Sequence, residues 1–182
     1  MKFSELKGRA VVNLEDAEKI GELADLLIEP GSHRILSLKV RTGLFHSAKV
    51  VPVSDVKNVG ADAITISLEG SPSASTADMA NSGTAGNGYI PPAAQQDNGT
   101  SGSPQSPVEI TSILGNKVVT DAGTMVGDLH DVIIDWSNLC ITGYEVHQGG
   151  LFSKSKEFAA TPEVRYGNKM ITMPAHLLSQ PA

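Results

Sequence analysis

The feature that most constrains this chain is an internal repeat. Gly21-Glu22-Leu23-Ala24-Asp25-Leu26-Leu27-Ile28-Glu29 aligns with Gly127-Asp128-Leu129-His130-Asp131-Val132-Ile133-Ile134-Asp135 at an offset of 106 residues, with eight of nine positions identical or conservative. At that offset Ile35 falls on Ile141 and Val40 on Val146. At an offset of 107, Gly43-Leu44-Phe45 meets Gly150-Leu151-Phe152, Gly60 meets Gly167, and Ile64-Thr65-Ile66 meets Ile171-Thr172-Met173. Upstream, Gly8-Arg9-Ala10-Val11-Val12 matches Gly115-Asn116-Lys117-Val118-Val119. Self-similarity at a fixed spacing means one fold written twice, spanning about 3–69 and 108–178.

Each copy breaks into strand-length apolar runs separated by turn residues. In the first copy these are Ala10 to Asn13, Gly21 to Glu29, Ile35 to Arg41, Val50 to Val53 and Ile64 to Leu68. In the second they are Lys117 to Thr120, Val126 to Asp135, Ile141 to His147, Glu157 to Ala160 and Met170 to Met173. Thr161-Pro162-Glu163 places a cap residue before a proline at a first helical position, which predicts one helical turn. Alternation along the strands predicts a first core of Leu23, Leu27, Ile35 or Leu36, Val40, Ile64 and Ile66, and a second of Leu129, Ile133, Ile141, Val146, Ile171 and Met173. Five or six short strands with one helical turn suit a small all-β barrel, because closure removes exposed sheet edges.

Between the copies the composition changes in kind. Residues 70–106 hold seven Ser, six Gly, six Ala and four Pro, with only Met79, Tyr89 and Ile90 as larger apolar groups. Such a segment cannot offset its ordering entropy by burial, so it reads as a tether in which Tyr89-Ile90-Pro91-Pro92 is a candidate anchor. The chain divides into a first barrel at 1–69, a low-complexity linker at 70–106 and a second barrel at 107–182.

Charge and cysteine content narrow the function classes. The net charge is −6, with nine Lys and Arg against ten Asp and Glu in 1–69, none against two in 70–106, and five against eight in 107–182. No region carries the basic footprint that phosphate neutralisation requires, so direct nucleic-acid binding is not expected. Cys140 is the single cysteine, which excludes an intrachain disulfide and a cysteine-based zinc site built by this chain alone. No apolar run approaches the roughly 18 residues of a spanning helix, and the N-terminus lacks a signal-peptide core. A cytoplasmic protein is the expectation, with any membrane contact made through a partner.

The residues that carry a family resemblance are a Gly, then an acidic-Leu-x-Asp-aliphatic-aliphatic-Ile-acidic strand, a second aliphatic strand, Val51-Pro52-Val53-Ser54-Asp55-Val56, and a closing strand introduced by Gly60 and Ile64. This resembles the PRC-barrel family, found in the cytoplasmic domain of the H subunit of purple-type photosynthetic reaction centres and in the ribosome-maturation factor. The second copy departs where Val51-Pro52-Val53 becomes Phe158-Ala159-Ala160. The resemblance implies two tandem barrels that dock on another protein in a larger assembly. It supplies no catalytic set and no cofactor, and fold alone does not fix function. Its most specific implication is an accessory subunit on the cytoplasmic side of a photosynthetic reaction centre. The alternatives are a ribosome-assembly accessory protein and a metal- or small-ligand-binding barrel.

The repeated carboxylates Glu22, Asp25 and Glu29, with Asp128, Asp131 and Asp135, do not converge, since neighbours along a strand point to opposite faces. His33, His46, His130, His147 and His176 show no metal spacing, although His46 and His147 fall near equivalent loops. No nucleophile elbow, Walker loop or dinucleotide fingerprint is present. The candidate partner-binding residues are therefore apolar: Phe45 and Phe152 in the Gly-Leu-Phe loops, Trp136 at the acidic end of its strand, and Tyr89 and Ile90 in the linker. The two phenylalanines either plug the barrel mouths or anchor a partner. Barrels this small bury only about 60% of their unfolded surface and gain from packing on a sister barrel or a partner.

Overall fold

A computed structural model describes residues 1–43, 47–68, 106–149 and 154–179. The first copy contains a short helix α1 (Phe3–Leu6) and strands β1 (Ala10–Asn13), β2 (Lys19–Ile28), β3 (Ile35–Thr42), β4 (Ser47–Pro52), β5 (Val56–Val59) and β6 (Ala63–Ile66). The second opens with β7 (Val108–Glu109) and helix α2 (Ile110–Ile113). It continues with β8 (Lys117–Thr120), β9 (Met125–Asp135), β10 (Cys140–Gln148), β11 (Lys154–Ala159), β12 (Arg165–Tyr166) and β13 (Met170–Met173).

The two sheets have the same strand order. It runs β4-β3-β2-β1-β6-β5 in the first copy and β11-β10-β9-β8-β13-β12 in the second. Both are antiparallel except at β1 with β6 and β8 with β13, which run parallel. The end strands β4 and β5 are consecutive in sequence, joined by the 3₁₀ turn Val53–Asp55. A three-residue connection holds the two edges of the sheet together at that corner, so the sheet must curl. The corresponding β11–β12 corner carries a turn in which the Val164 N–H donates to the Thr161 carbonyl at 3.0 Å. The helical turn expected at Thr161-Pro162-Glu163 is thus a single hydrogen-bonded turn; at this corner the 3₁₀ form is found in the first copy, and the second copy has a 3₁₀ helix after its last strand, at Ala175–Ser179.

Glycine sits at equivalent places near the start of the long strands. A Cβ on Gly21 would run into the Arg41 carbonyl, and one on Gly127 into that of His147. The obstacle is backbone in both cases and cannot step aside as a side chain could.

The cores are aliphatic, and a bulge decides which residues enter them. The β2–β3 register shifts between Leu23 and Asp25, and the β10–β9 register shifts between Glu145 and Val146, opposite Asp131 and Leu129. One extra residue in a strand moves everything beyond it to the other face. Hence Leu26, Ile28, Val132 and Ile134 are buried, whereas Leu27 and Ile133, which strict alternation assigns to the cores, are half-buried. Leu23, Ile35, Val40, Ile64, Ile66, Leu129, Ile141, Val146, Ile171 and Met173 are buried as expected, and Leu36 is exposed.

The two copies pack into one compact unit, and they do so reciprocally. Helix α1 lies against β9, and α2 against β2. The bulge turns Asp25 away from the core of its own barrel, yet Asp25 and Asp131 are 3% and 2% exposed because the other copy's helix covers each. Asp25 accepts the Thr111 N–H at 3.2 Å and the Thr111 hydroxyl; Asp131 accepts the Ser4 N–H at 3.3 Å. First-turn N–H groups of a helix have no intrahelical acceptor, and here the opposite barrel supplies one. The hairpin turns also cross: the Ile35 N–H donates to the Leu139 carbonyl at 2.8 Å and the Ile141 N–H to the His33 carbonyl at 2.9 Å. At the other end β7 pairs with β2 through Leu27 and Ile28, as Lys2 bridges to Ile133.

Candidate protein-binding surface

Pairing of the barrels consumes the outer faces of β2 and β9, so a partner must use what is left. The second barrel offers one exposed strip with an apolar centre. In β8, Val119 stands opposite Met125 of β9 on one side and opposite Thr172 of β13 on the other. Directly paired residues share a face, and residues two apart on one strand do also. Met170, two before Thr172, therefore joins the same surface. Met125 is 55% exposed and Met170 49%. The strip is edged by Lys117, opposite Met170, which pairs with Asp128 at 2.6 Å. An apolar centre with a charged rim is the anatomy of a protein interface, and methionine side chains adapt to a partner's contours.

The equivalent surface of the first barrel differs in kind. There Val12 pairs with Lys19 and with Thr65, and Ala63 precedes Thr65 by two. Met125 thus replaces a lysine and Met170 an alanine. Aligning the repeats shows both substitutions in the sequence, but the bulge between Val118 and Val119 hides that they share a face.

Of the candidate residues named from sequence, Phe45, Tyr89, Ile90 and Phe152 lie outside the described residues, as does His46. Trp136 follows β9, half-buried against the hydrophobic core, with a buried indole N–H that finds no acceptor.

Two clusters of titratable groups formed across strands and copies. His33, a first-copy residue held at φ 58° in the β2–β3 turn, is buried with its ring edge-on to Tyr144 at 6.2 Å and to Tyr166 at 5.8 Å. The two phenol hydroxyls hydrogen-bond each other. Burial pushes both tyrosines above their ordinary value and His33 below its own, the nearby Arg165 charge adding to the effect on His33. Its Nε2 is buried without a partner. Burial keeps all three rings neutral and packs them edge to edge.

His130 and His147 stack with ring centroids 3.7 Å apart, and Glu145 Oε1 lies 4.0 Å from His147 Nε2. Glu145 is committed to Lys2, whose hydrogen bond holds its carboxyl below the usual carboxylate range despite the opposing effect of burial. Among the described residues no group of three or more His, Cys, Asp or Glu is placed to hold a metal ion. A cleft of about 210 Å³ is lined by Asp121, Glu163, Thr172, Met173, Pro174 and His176. Its Asp121 carboxylate already accepts the Ala175 N–H at 2.9 Å. No described helix is long and apolar enough to cross a membrane.

The family model for the PRC-barrel domain fits residues 1–69 and again residues 108–176. No curated protein matches the chain.

Proposed function

We propose that this chain, which belongs to the PRC-barrel family and carries its domain twice, is a non-catalytic subunit that binds another protein within a larger assembly. The observation that carries this reading is a strip on the second barrel in which exposed Met125 and Met170 accompany Val119 and Thr172, whereas the first barrel keeps the valine and threonine as Val12 and Thr65 but has Lys19 and Ala63 at the methionine positions. Two barrels with one body and different outer faces form an asymmetric adaptor: the second presents two exposed methionines where the first presents a lysine and an alanine, while the first has its own exposed leucine, Leu14, two residues beyond Val12. A protein partner with an apolar centre and a complementary charged rim fits the strip.

The finer form of the proposal is an accessory subunit on the cytoplasmic side of a photosynthetic reaction centre, a reading that rests on the resemblance drawn from the sequence motifs and on membership of the PRC-barrel family. In that setting the membrane is reached through the partner.

The test is affinity isolation of the full chain from its native host, beside a variant carrying Met125→Lys and Met170→Ala, the residues of the first barrel. The parent is expected to retain a stoichiometric protein partner and the variant to lose it, with the melting temperature of the isolated protein unchanged. Equal recovery of the same partner by both proteins would remove the strip from the interface. For the finer form, the parent should co-migrate with reaction-centre subunits from solubilised membranes; migration as a free monomer would end it.

A further inference from the structure

The two copies meet through equivalent contacts, but the charges at those contacts are opposite. Position 2 of the first copy corresponds to position 109 of the second, and position 39 to position 145, at the offsets of the repeat. Each copy extends the first of these positions onto the second position of the other. Lys2 Nζ lies 2.8 Å from Glu145 Oε2, and Lys39 Nζ lies 2.8 Å from Glu109 Oε1. The first barrel therefore presents two lysines to its partner, and the second presents two glutamates. Were two first barrels to meet through this surface, each Lys2 would face a Lys39. Were two second barrels to meet, each Glu109 would face a Glu145.

We propose that these four residues are a pairing code, by which the first barrel accepts the second, of its own chain or of another copy, and rejects a barrel of its own kind. Most of the remaining interface does not discriminate. The backbone bonds of the crossed hairpins are equivalent in the two directions. Asp25 with Thr111 is matched by Asp131 with Ser4. The buried helix residues Phe3 and Leu6 correspond to Ile110 and Ile113, all apolar. A surface so nearly self-complementary would tolerate like-with-like association, and specificity then needs a repulsive element against the wrong partner. The charges supply it. Glu145 has only 10% of its side chain exposed, so an opposed carboxylate there could not be screened by water as it would be on an open surface.

The experiment uses the full chain with a protease site inserted within residues 70–104 and cut after folding. Native mass spectrometry and sedimentation then report who is bound to whom. The cut parent is expected to remain a one-to-one complex of unlike halves, with no dimers of like halves. Lys2→Glu with Lys39→Glu turns both contacts into glutamate pairs and should weaken the complex on the order of ten-fold or more. Adding Glu109→Lys and Glu145→Lys reverses both ion pairs and should recover most of the lost affinity, short of the parent because Glu157, 3.8 Å from Lys2 Nζ, then faces a glutamate. If the double variant fails to fold, the quadruple variant decides alone, since it carries the same two lysine replacements with their partners exchanged. A double variant as tight as the parent, a quadruple variant no tighter than the double, or like-half dimers from the cut parent would each overturn the code.

Discussion

At Gly21 and Gly127 the neighbouring strand imposes the residue type. Any Cβ there meets a carbonyl oxygen of the next strand, so Gly21→Ala or Gly127→Ala must push two strands apart. Each is expected to cost at least about 2 kcal/mol, read as a lower urea midpoint at unchanged slope. His33 carries a second residue-scale consequence. Its burial depresses its pKa from 6.5, so as pH falls below that value the unfolded chain takes up a proton that the folded chain does not. Stability is therefore present above about pH 6.5 and is lost on acidification, with a slope of at most about 1.4 kcal/mol per pH unit. Glu145, also depressed, adds a loss below its own ordinary value of 4.5, and Asp25, raised chiefly by burial, opposes it there. Among the groups whose pKa is depressed, His33 alone has an ordinary value above pH 5. The equivalent residue Leu139 has the same left-handed backbone, φ 53° against 58°, so His33→Leu should fold and should flatten the stability profile between about pH 5 and 6.5. A profile from chemical denaturation at several pH values that keeps its slope in the variant would contradict this.

At the scale of elements, the strands were legible because period-two burial and turn residues are written locally. Ala10–Asn13, Lys117–Thr120 and Met170–Met173 coincide with their sequence-based bounds. What alternation could not reveal is the bulge in β2 and β9, because an extra residue leaves no mark in composition and shows only against the partner strand. The resulting core contains Leu26 where simple alternation puts Leu27. Leu26→Ala should cost about 2–5 kcal/mol and Leu27→Ala clearly less, an order that thermal melts of the two variants can check. The helices α1 and α2 were illegible for a different reason. Four residues are too short to show a helical period, and what stabilises them is an acceptor on the other copy. Asp131→Ala removes the acceptor for both the Ser4 and Val132 N–H groups and should cost about 1–3 kcal/mol. Pairing lysine with glutamate across the repeats was written in the sequence but gained meaning only once position 2 was seen to reach position 145. The methionine strip was likewise visible residue by residue and invisible as a surface.

At the scale of the whole molecule, exchange of the N-terminal helices ties the stability of each barrel to the other. Phe3 and Leu6 are fully buried and Ile110 is too, and each of these helices packs on a strand of the opposite copy. Losing either barrel would uncover those side chains, strand the buried carboxylate of Asp25 or Asp131 without its helix, and open the crossed hairpin bonds of Ile35 and Ile141. A barrel of roughly 70 residues has little stability to spare, so its folded state should not outlast that loss. The expected outcome is a single calorimetric transition whose calorimetric and van't Hoff enthalpies agree. Truncations placed in either barrel test the coupling directly: Leu26→Ala in the first and Val132→Ala in the second should each lower that one transition, by about 2–4 °C for every kcal/mol lost. Independent barrels joined only through residues 70–106 would behave otherwise, splitting into two transitions of which each substitution moves one, and that result would show that the reciprocal contacts contribute little to the stability of either barrel.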